Sequence, residues 1–186
     1  MSDAPDRPQA PPPVDVAAAE AIAAQVVRGD DPYVVPTEML VEPEKGAPVN
    51  KSPYAQIQAM TVGEKIKLSL RGNHDARMIL IRDSNRLIQR FVLANPRITE
   101  DEIVMVARNR SVDSDLLKII GDNKNWRRNY QIRIGLVANP KTPLATSLSL
   151  MGGLQERDLR LVAKSKNVST TISGQARRLL SQRRPG

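Results

Sequence analysis

The stretch LANPRITEDEIVMVARNRSVDSDL, from Leu93 to Leu116, decides how the chain is read. An apolar run ends at Ala94, and Asn95 and Pro96 interrupt it. Thr99 then restarts a helical pattern, because TEDE is a capping box: Thr99 accepts from the amide three residues on while Glu102 reaches back. Its acidic residues also suit the positive end of a helix dipole. Ile103 to Ala107 are apolar all round, as expected of a helix enclosed by neighbours. The polar NRS ends that element, and Asp113 or Ser114 caps another carrying Leu116, Leu117, Ile119 and Ile120. Short helices joined by tight, capped turns are expected.

The same pattern extends in both directions. Upstream, TVGE at Thr61 is a second capping box, followed by Val62, Ile66 and Leu70 at helical spacing until GNH. Ala76, Met78, Ile79, Leu80 and Ile81 mark a short helix closed by DSN. Leu87, Ile88, Phe91 and Val92 mark the next, from Arg86 to Ala94. Downstream, GDNKN ends the helix of Leu116, and WRRNYQIRIGLVANP follows. There Tyr130, Ile132, Ile134 and Leu136 alternate like a strand, yet Trp126, Tyr130, Ile134 and Val137 fit one helical face. Helix is preferred because every neighbour is helical. Thr142 before Pro143 reads as a capping hydroxyl with proline in the first turn, with Leu144, Leu148 and Met151 facing inward until Gly152 and Gly153. Leu159, Val162 and Ala163 form the eighth helix. Val168, Ile172, Ala176, Leu179 and Leu180 form the last, and residues 182–186 should fray.

The joints resemble one another. LANPRIT and VANPKTP place their ANP triplets 44 residues apart, and ARNRSVDSDL matches AKSKNVSTTI from Ala163 in chemical type. Isolated helices shorter than about 12 to 15 residues are marginal in water, so these must be stabilised by stacking. The expected fold is all-α: an α-solenoid of about nine short antiparallel helices over residues 61–181. The alternative is an irregular bundle whose turns look alike because helix caps do. Through LANPRIT, ARNRSV, NWRRNY, LVANPKTP and AKSKNV, this region resembles HEAT-like and leucine-rich-repeat-variant short-helix proteins. More narrowly, it resembles uncharacterised helical-repeat proteins of the deltaproteobacterial type. The resemblance implies a recognition scaffold more than a chemistry.

Residues 1–60 differ in kind. They carry 4 Lys and Arg against 9 Asp and Glu, a charge of −5, whereas the remainder carries 24 against 11, a charge of +13, giving +8 for the chain. Ten of the 14 prolines fall there, so an acidic, mostly disordered tail with polyproline II character is expected. Within it, residues 14–27 favour a helix with Val16, Ala19, Ile22, Ala23 and Val26 on one face, either transient or a docking helix for a groove. Residues 33–41 form an apolar island, either a linear motif or linker resting on the domain. The tail is expected to cover the basic domain transiently. Cysteine is absent, the N-terminus lacks the charged start and apolar run of a secretory signal, and no stretch reaches roughly 18 consecutive apolar residues. Cytoplasmic placement is the expectation.

Little suggests catalysis. His74 beside Asp75 reads as a helix-start residue, no serine sits in a nucleophile elbow, and Asp113, Asp115 and Asp122 fall where caps and turns want acids. The MGGL glycines lack the setting of a phosphate loop. A non-enzymatic protein without cofactor or metal is expected. The basic residues point further. Arg82, Arg86, Arg90, Arg97, Arg108, Arg110, Lys124, Arg127, Arg128, Arg133, Lys141, Lys164 and Lys166 include many at helix ends and turns. Stacked turns would align them in a stripe; alternatively they complement helix C-termini. Trp126 and Tyr130 join the candidate set, either stacking on a ligand or packing in the core. The expected partner is an acidic or amphipathic protein segment, the chain's own tail included. Sequence-nonspecific nucleic-acid binding is the alternative, weakened by an aromatic content of 3%. Contact with an anionic membrane surface is a third reading.

Overall fold

The structure is a computed structural model and describes residues 15–43 and 53–183. Among these, eleven α-helices follow one another: α1 (Val16–Arg28), α2 (Pro53–Ala59), α3 (Val62–Arg71), α4 (His74–Leu80), α5 (Arg86–Leu93), α6 (Glu100–Arg108), α7 (Ser114–Asp122), α8 (Tyr130–Ala138), α9 (Leu144–Met151), α10 (Glu156–Lys164) and α11 (Thr170–Gln182). None of them is long and apolar enough to cross a membrane.

Eight of the eleven helices start where a side chain satisfies unpaired amides. Thr61 and Thr99 form reciprocal capping boxes with Glu64 and Glu102. Asp15, Asn73, Asn85, Asp113, Asn129 and Ser169 cap α1, α4, α5, α7, α8 and α11. Such caps contribute about 1 kcal/mol each, which matters for helices of seven to ten residues.

The helices stack with their next-but-one neighbours. Helix α3 touches α1 and α5, α9 touches α7 and α11, α4 touches α2, and α8 touches α6 and α10. Hydrogen bonds fix the directions. Arg71 reaches the last carbonyls of α1, Asn95 those of α3, and Arg183 that of Gly152 after α9. The C-termini of odd-numbered helices therefore share one edge, called here the upper edge. Asn139 reaches the last carbonyls of α6, and Arg86 at the start of α5 pairs with Asp113 at the start of α7. The C-termini of even-numbered helices thus lie on the opposite, lower edge. Between the two sets runs one core that includes Ile57, Ile66, Leu80, Ile88, Ile103, Leu117, Ile120, Ile132 and Leu136, each fully buried.

The nine helices expected between residues 61 and 181 correspond to α3 through α11. Residues 126–138 are helical, but a 3₁₀ turn at Trp126–Arg128 precedes α8, because Asn129 breaks the run and caps Gln131 and Ile132. The packed body begins at Val16 instead of Thr61. Ala19, Ala23 and Val26 of α1 are buried against α3 and α5, and Ile57 of α2 is fully buried. The helix expected over 14–27 is thus part of the stack and not a transient element of a tail. The island at 33–41 lies on the domain, with Val35 and Met39 buried. Residues 1–14, 44–52 and 184–186, on which the rest of the expected tail and fraying fall, lie outside the described residues.

Three inward faces differ from expectation. Thr142 does not cap α9: Pro143 takes the N-cap position without a side-chain bond. With the start moved, Leu144 and Leu148 are 45% and 37% exposed and Thr146, Ser147 and Leu150 face the core in their place, while Met151 is buried as expected. Met105, expected to be enclosed, is 46% exposed.

Candidate binding ridge

The two ANP turns are the same device. Asn95 is 2% exposed, and its side-chain amide donates to the carbonyls of Ser69 and Gly72 at the end of α3. Asn139 is 4% exposed and donates to those of Ala107 and Asn109 at the end of α6. Each side-chain oxygen accepts from the amide two residues on, Arg97 and Lys141. One buried side chain thus folds its own turn and satisfies helix-end carbonyls that would otherwise lack partners.

At the upper edge Arg97 and Arg133 are engaged, whereas the side chains of Lys124, Arg127 and Arg128 are not. Arg97 donates to the carbonyls of Leu40, Arg71 and Gly72 and lies 3.9 Å from Glu42. Next to it is a buried ionic cluster that the sequence reading missed. Arg77, 2% exposed, holds Glu102 by two bonds of 2.9 and 3.0 Å and donates to Glu42 at 2.6 Å and to the Gly72 carbonyl at 3.0 Å. His74, the first residue of α4, donates its amide to Glu42 and places Nδ1 3.1 Å from Glu102. Burial alone would raise the Glu102 carboxyl, but the Arg77 bonds and the Thr99 amide outweigh it and hold the pKa below its ordinary value. The same carboxylates outweigh burial at Arg77 and raise it. The one legible signal was Glu102 in a capping box; its second partner comes from 25 residues away.

The rest of the upper-edge set is divided. Tyr130 donates its hydroxyl to Asp158 and accepts from the Gln155 amide; burial, then Asp158, raises its pKa. Arg133 lies over the Tyr130 ring at 5.4 Å and contacts the Gly153 carbonyl. Trp126 is half-buried against the core. The side chains of Lys124, Arg127 and Arg128, its neighbours in sequence, make no hydrogen bond or ion pair among the described residues.

The lower edge is different. Arg86 is bound by Asp113 at 2.9 Å and Asp115 at 3.5 Å. Beyond it, three turns lie side by side. The side chain of Asn139 and Nζ of Lys141 reach the carbonyls of Asn109 and Ser111, and a cleft joins the Asn139–Thr142 turn to Val168 and Ser169. These turns carry Arg108, bonded to neutral Gln131 at 2.5 Å, and Lys141, bonded to one carbonyl at 3.4 Å. They also carry Arg110, Lys164 and Lys166, which are exposed and make no bond among the described residues. Arg110, Lys141, Lys164 and Lys166 therefore follow one another along one edge without a carboxylate partner, while the Arg108 guanidinium turns back towards the start of α8. A groove lined by Arg108, Arg110, Ile134, Gly135 and Ala138 opens between two of the turns. Arg90 stands apart on α5, exposed. The predicted set thus divides between two edges instead of converging on one face.

Among the described residues no group of three or more His, Asp or Glu is placed to hold a metal ion. The chain matches no protein-family model, no curated protein and no solved structure.

Proposed function

We propose that this protein is a non-enzymatic scaffold, an α-solenoid of HEAT-like type, whose lower edge binds an acidic or amphipathic protein segment. The observation that carries the reading is the run Arg110, Lys141, Lys164 and Lys166 along three neighbouring turns without a carboxylate partner among the described residues. Like charges at neighbouring turns repel and oppose compaction, so an anionic partner relieves a cost already present in the free protein. The grooves between the turns favour a protein segment over nucleic acid. They expose apolar side chains, Leu144 among them, while the half-buried Trp126 and Tyr130 belong to the other edge and offer this ridge no surface on which bases could stack.

Fluorescence anisotropy at several salt concentrations tests the reading, using a labelled Leu/Glu peptide and an arbitrary 25-base-pair duplex. The peptide should bind, and Arg110→Gln with Lys164→Gln and Lys166→Gln should abolish binding, whereas Lys124→Gln with Arg127→Gln and Arg128→Gln should not. Tighter, steeply salt-dependent binding to the duplex would assign the ridge to phosphates and sink the scaffold reading.

A further inference from the structure

We infer that the groove between the C-terminal halves of α4 and α6 is the apolar anchor of this ridge, taking apolar side chains from an acidic amphipathic helix of a partner protein. The inference rests on the ridge reading above and names the place where the bound segment inserts.

The first reason is a missing neighbour. Ile103 to Ala107 are apolar on every side of α6, a pattern that calls for packing all round. Ile103, Val106 and Ala107 are buried, yet Met105 is exposed and faces a groove whose other wall is Met78, Ile81 and Arg82. Elsewhere in this layer a helix packs closely on the one two positions on, as α2 does on α4, α6 on α8 and α8 on α10, whereas α4 and α6 make no contact of that extent. The starts of α4 and α6 are pinned together where Arg77 and His74 meet Glu102. Towards their ends a groove of about 370 Å³ lies between them. Buried Ile81 and Val106 line it beside half-buried Met78 and exposed Met105. Unbranched, polarizable thioether side chains adapt to whatever apolar group is inserted among them.

The second reason is charge, and it selects the occupant. Arg82 lines the groove, and Arg110 stands in the turn between two further lining residues, Asn109 and Ser111. The side chains of both arginines are exposed and make no hydrogen bond or ion pair among the described residues. The acids that follow in sequence are spent, Asp83 on Lys65 and Asp113 on Arg86. An apolar trough with unpaired guanidinium groups at its rim is complementary to a helix that carries apolar residues three or four positions apart with carboxylates beside them. Because the Asn109–Ser111 turn walls the groove and also carries Arg110 of the ridge, one bound segment reaches both.

The test uses the full chain, the Leu/Glu peptide and duplex above, and methionine methyl groups labelled with carbon-13. On titration with the peptide the Met78 and Met105 methyl resonances should shift, while those of Met39 and Met151, buried elsewhere, should stay in place. Met105→Gln keeps the length of the side chain and its helix propensity. It should weaken the peptide about tenfold with its salt dependence unchanged, as loss of an apolar contact does. Arg82→Gln should weaken the peptide about threefold and flatten that dependence. A peptide with Ala for every Leu should no longer distinguish Met105→Gln from the parent. If Met105→Gln binds as well as the parent while the triple ridge variant does not, the ridge stands and this groove is not its anchor. The inference also falls if the duplex and not the peptide moves the two methyl groups, or if deleting residues 1–14 moves them with no peptide present, since the chain's own start would then be the occupant. If neither Met105→Gln nor the triple ridge variant weakens the peptide, both readings fall.

Discussion

The Asn95 and Asn139 turns are built alike and end differently. In both, a buried asparagine clasps the end of the helix two positions back, and a basic residue follows two positions later. At the first, Arg97 reaches three backbone carbonyls, one of them Leu40 of the N-terminal segment, and Glu42 of that segment lies against Arg77. At the second, Lys141 touches one carbonyl, and a cleft with an unpaired hydroxyl opens beside it. Repetition of a turn therefore fixes the stack, whereas the presence or absence of a covering segment decides whether its charge is free. The same turn chemistry is a structural joint where the chain covers it, and where none of the described residues covers it the charge is left without a carboxylate partner among them.

The strongest way to break this contrast is at the covered turn. Arg77→Met leaves Glu102 buried without its partner, and removing one member of a buried pair costs about 3–5 kcal/mol; urea unfolding should register that loss, and a change below about 1 kcal/mol would mean the cluster is not a joint. The same cluster sets a pH dependence. The Glu102 carboxyl is held below its ordinary value in the folded state, as is that of Asp31 through its bond to Lys67. Their contribution is thus complete above the ordinary carboxylate range and disappears as pH falls through the lowered values. Glu102→Gln should flatten the acid limb of a stability profile measured by thermal melting.

If the two clasps are one device, Asn95→Ala and Asn139→Ala should cost similar amounts, about 1–3 kcal/mol each, since both leave helix-end carbonyls without partners. Unequal losses would divide the turns. At the opposite end of α3, Gly63 faces Tyr33 so closely that an added methyl would lie 2.0 Å from the ring. Gly63→Ala should displace the N-terminal segment and cost about 1–3 kcal/mol, with faster tryptic cleavage after Arg28 as the readout. The smallest effect sharpens the contrast most: Arg97→Ala should cost about 1 kcal/mol, while Lys141→Ala should stay within about 0.5 kcal/mol, as surface substitutions do.

The helices were legible because their signals are local. Capping boxes at Thr61 and Thr99, asparagine stops and a 3.6-residue period lie within a few positions of one another. What was not legible depends on distant partners. Arg77 reads as an ordinary surface arginine until Glu42 and Glu102 arrive from 35 and 25 residues away. The docking of α1 follows from an alanine-rich face whose acceptor, α3, lies beyond a proline-rich interval. At α9 the local signal itself misled. Thr142 before Pro143 has the form of a cap, but the helix starts one residue later, and the hydroxyl meant for an amide is left in a cleft. Many of the basic residues lie at helix ends and turns while Arg90 and Arg133 lie within helices, and nothing local distinguishes Arg97, which is engaged, from Arg110, which is not.

The clasps also bear on how the chain reaches its fold. Asn95 and Asn139 join groups only 26 and 32 residues apart in sequence, and each helix depends on its near neighbours. Short closures are fast and can form in any order, so order should spread from any well-capped pair and withdraw first from the ends. Hydrogen exchange should record that gradient: amides of α11, bordered on one side only, should exchange well before those of α6 and α8.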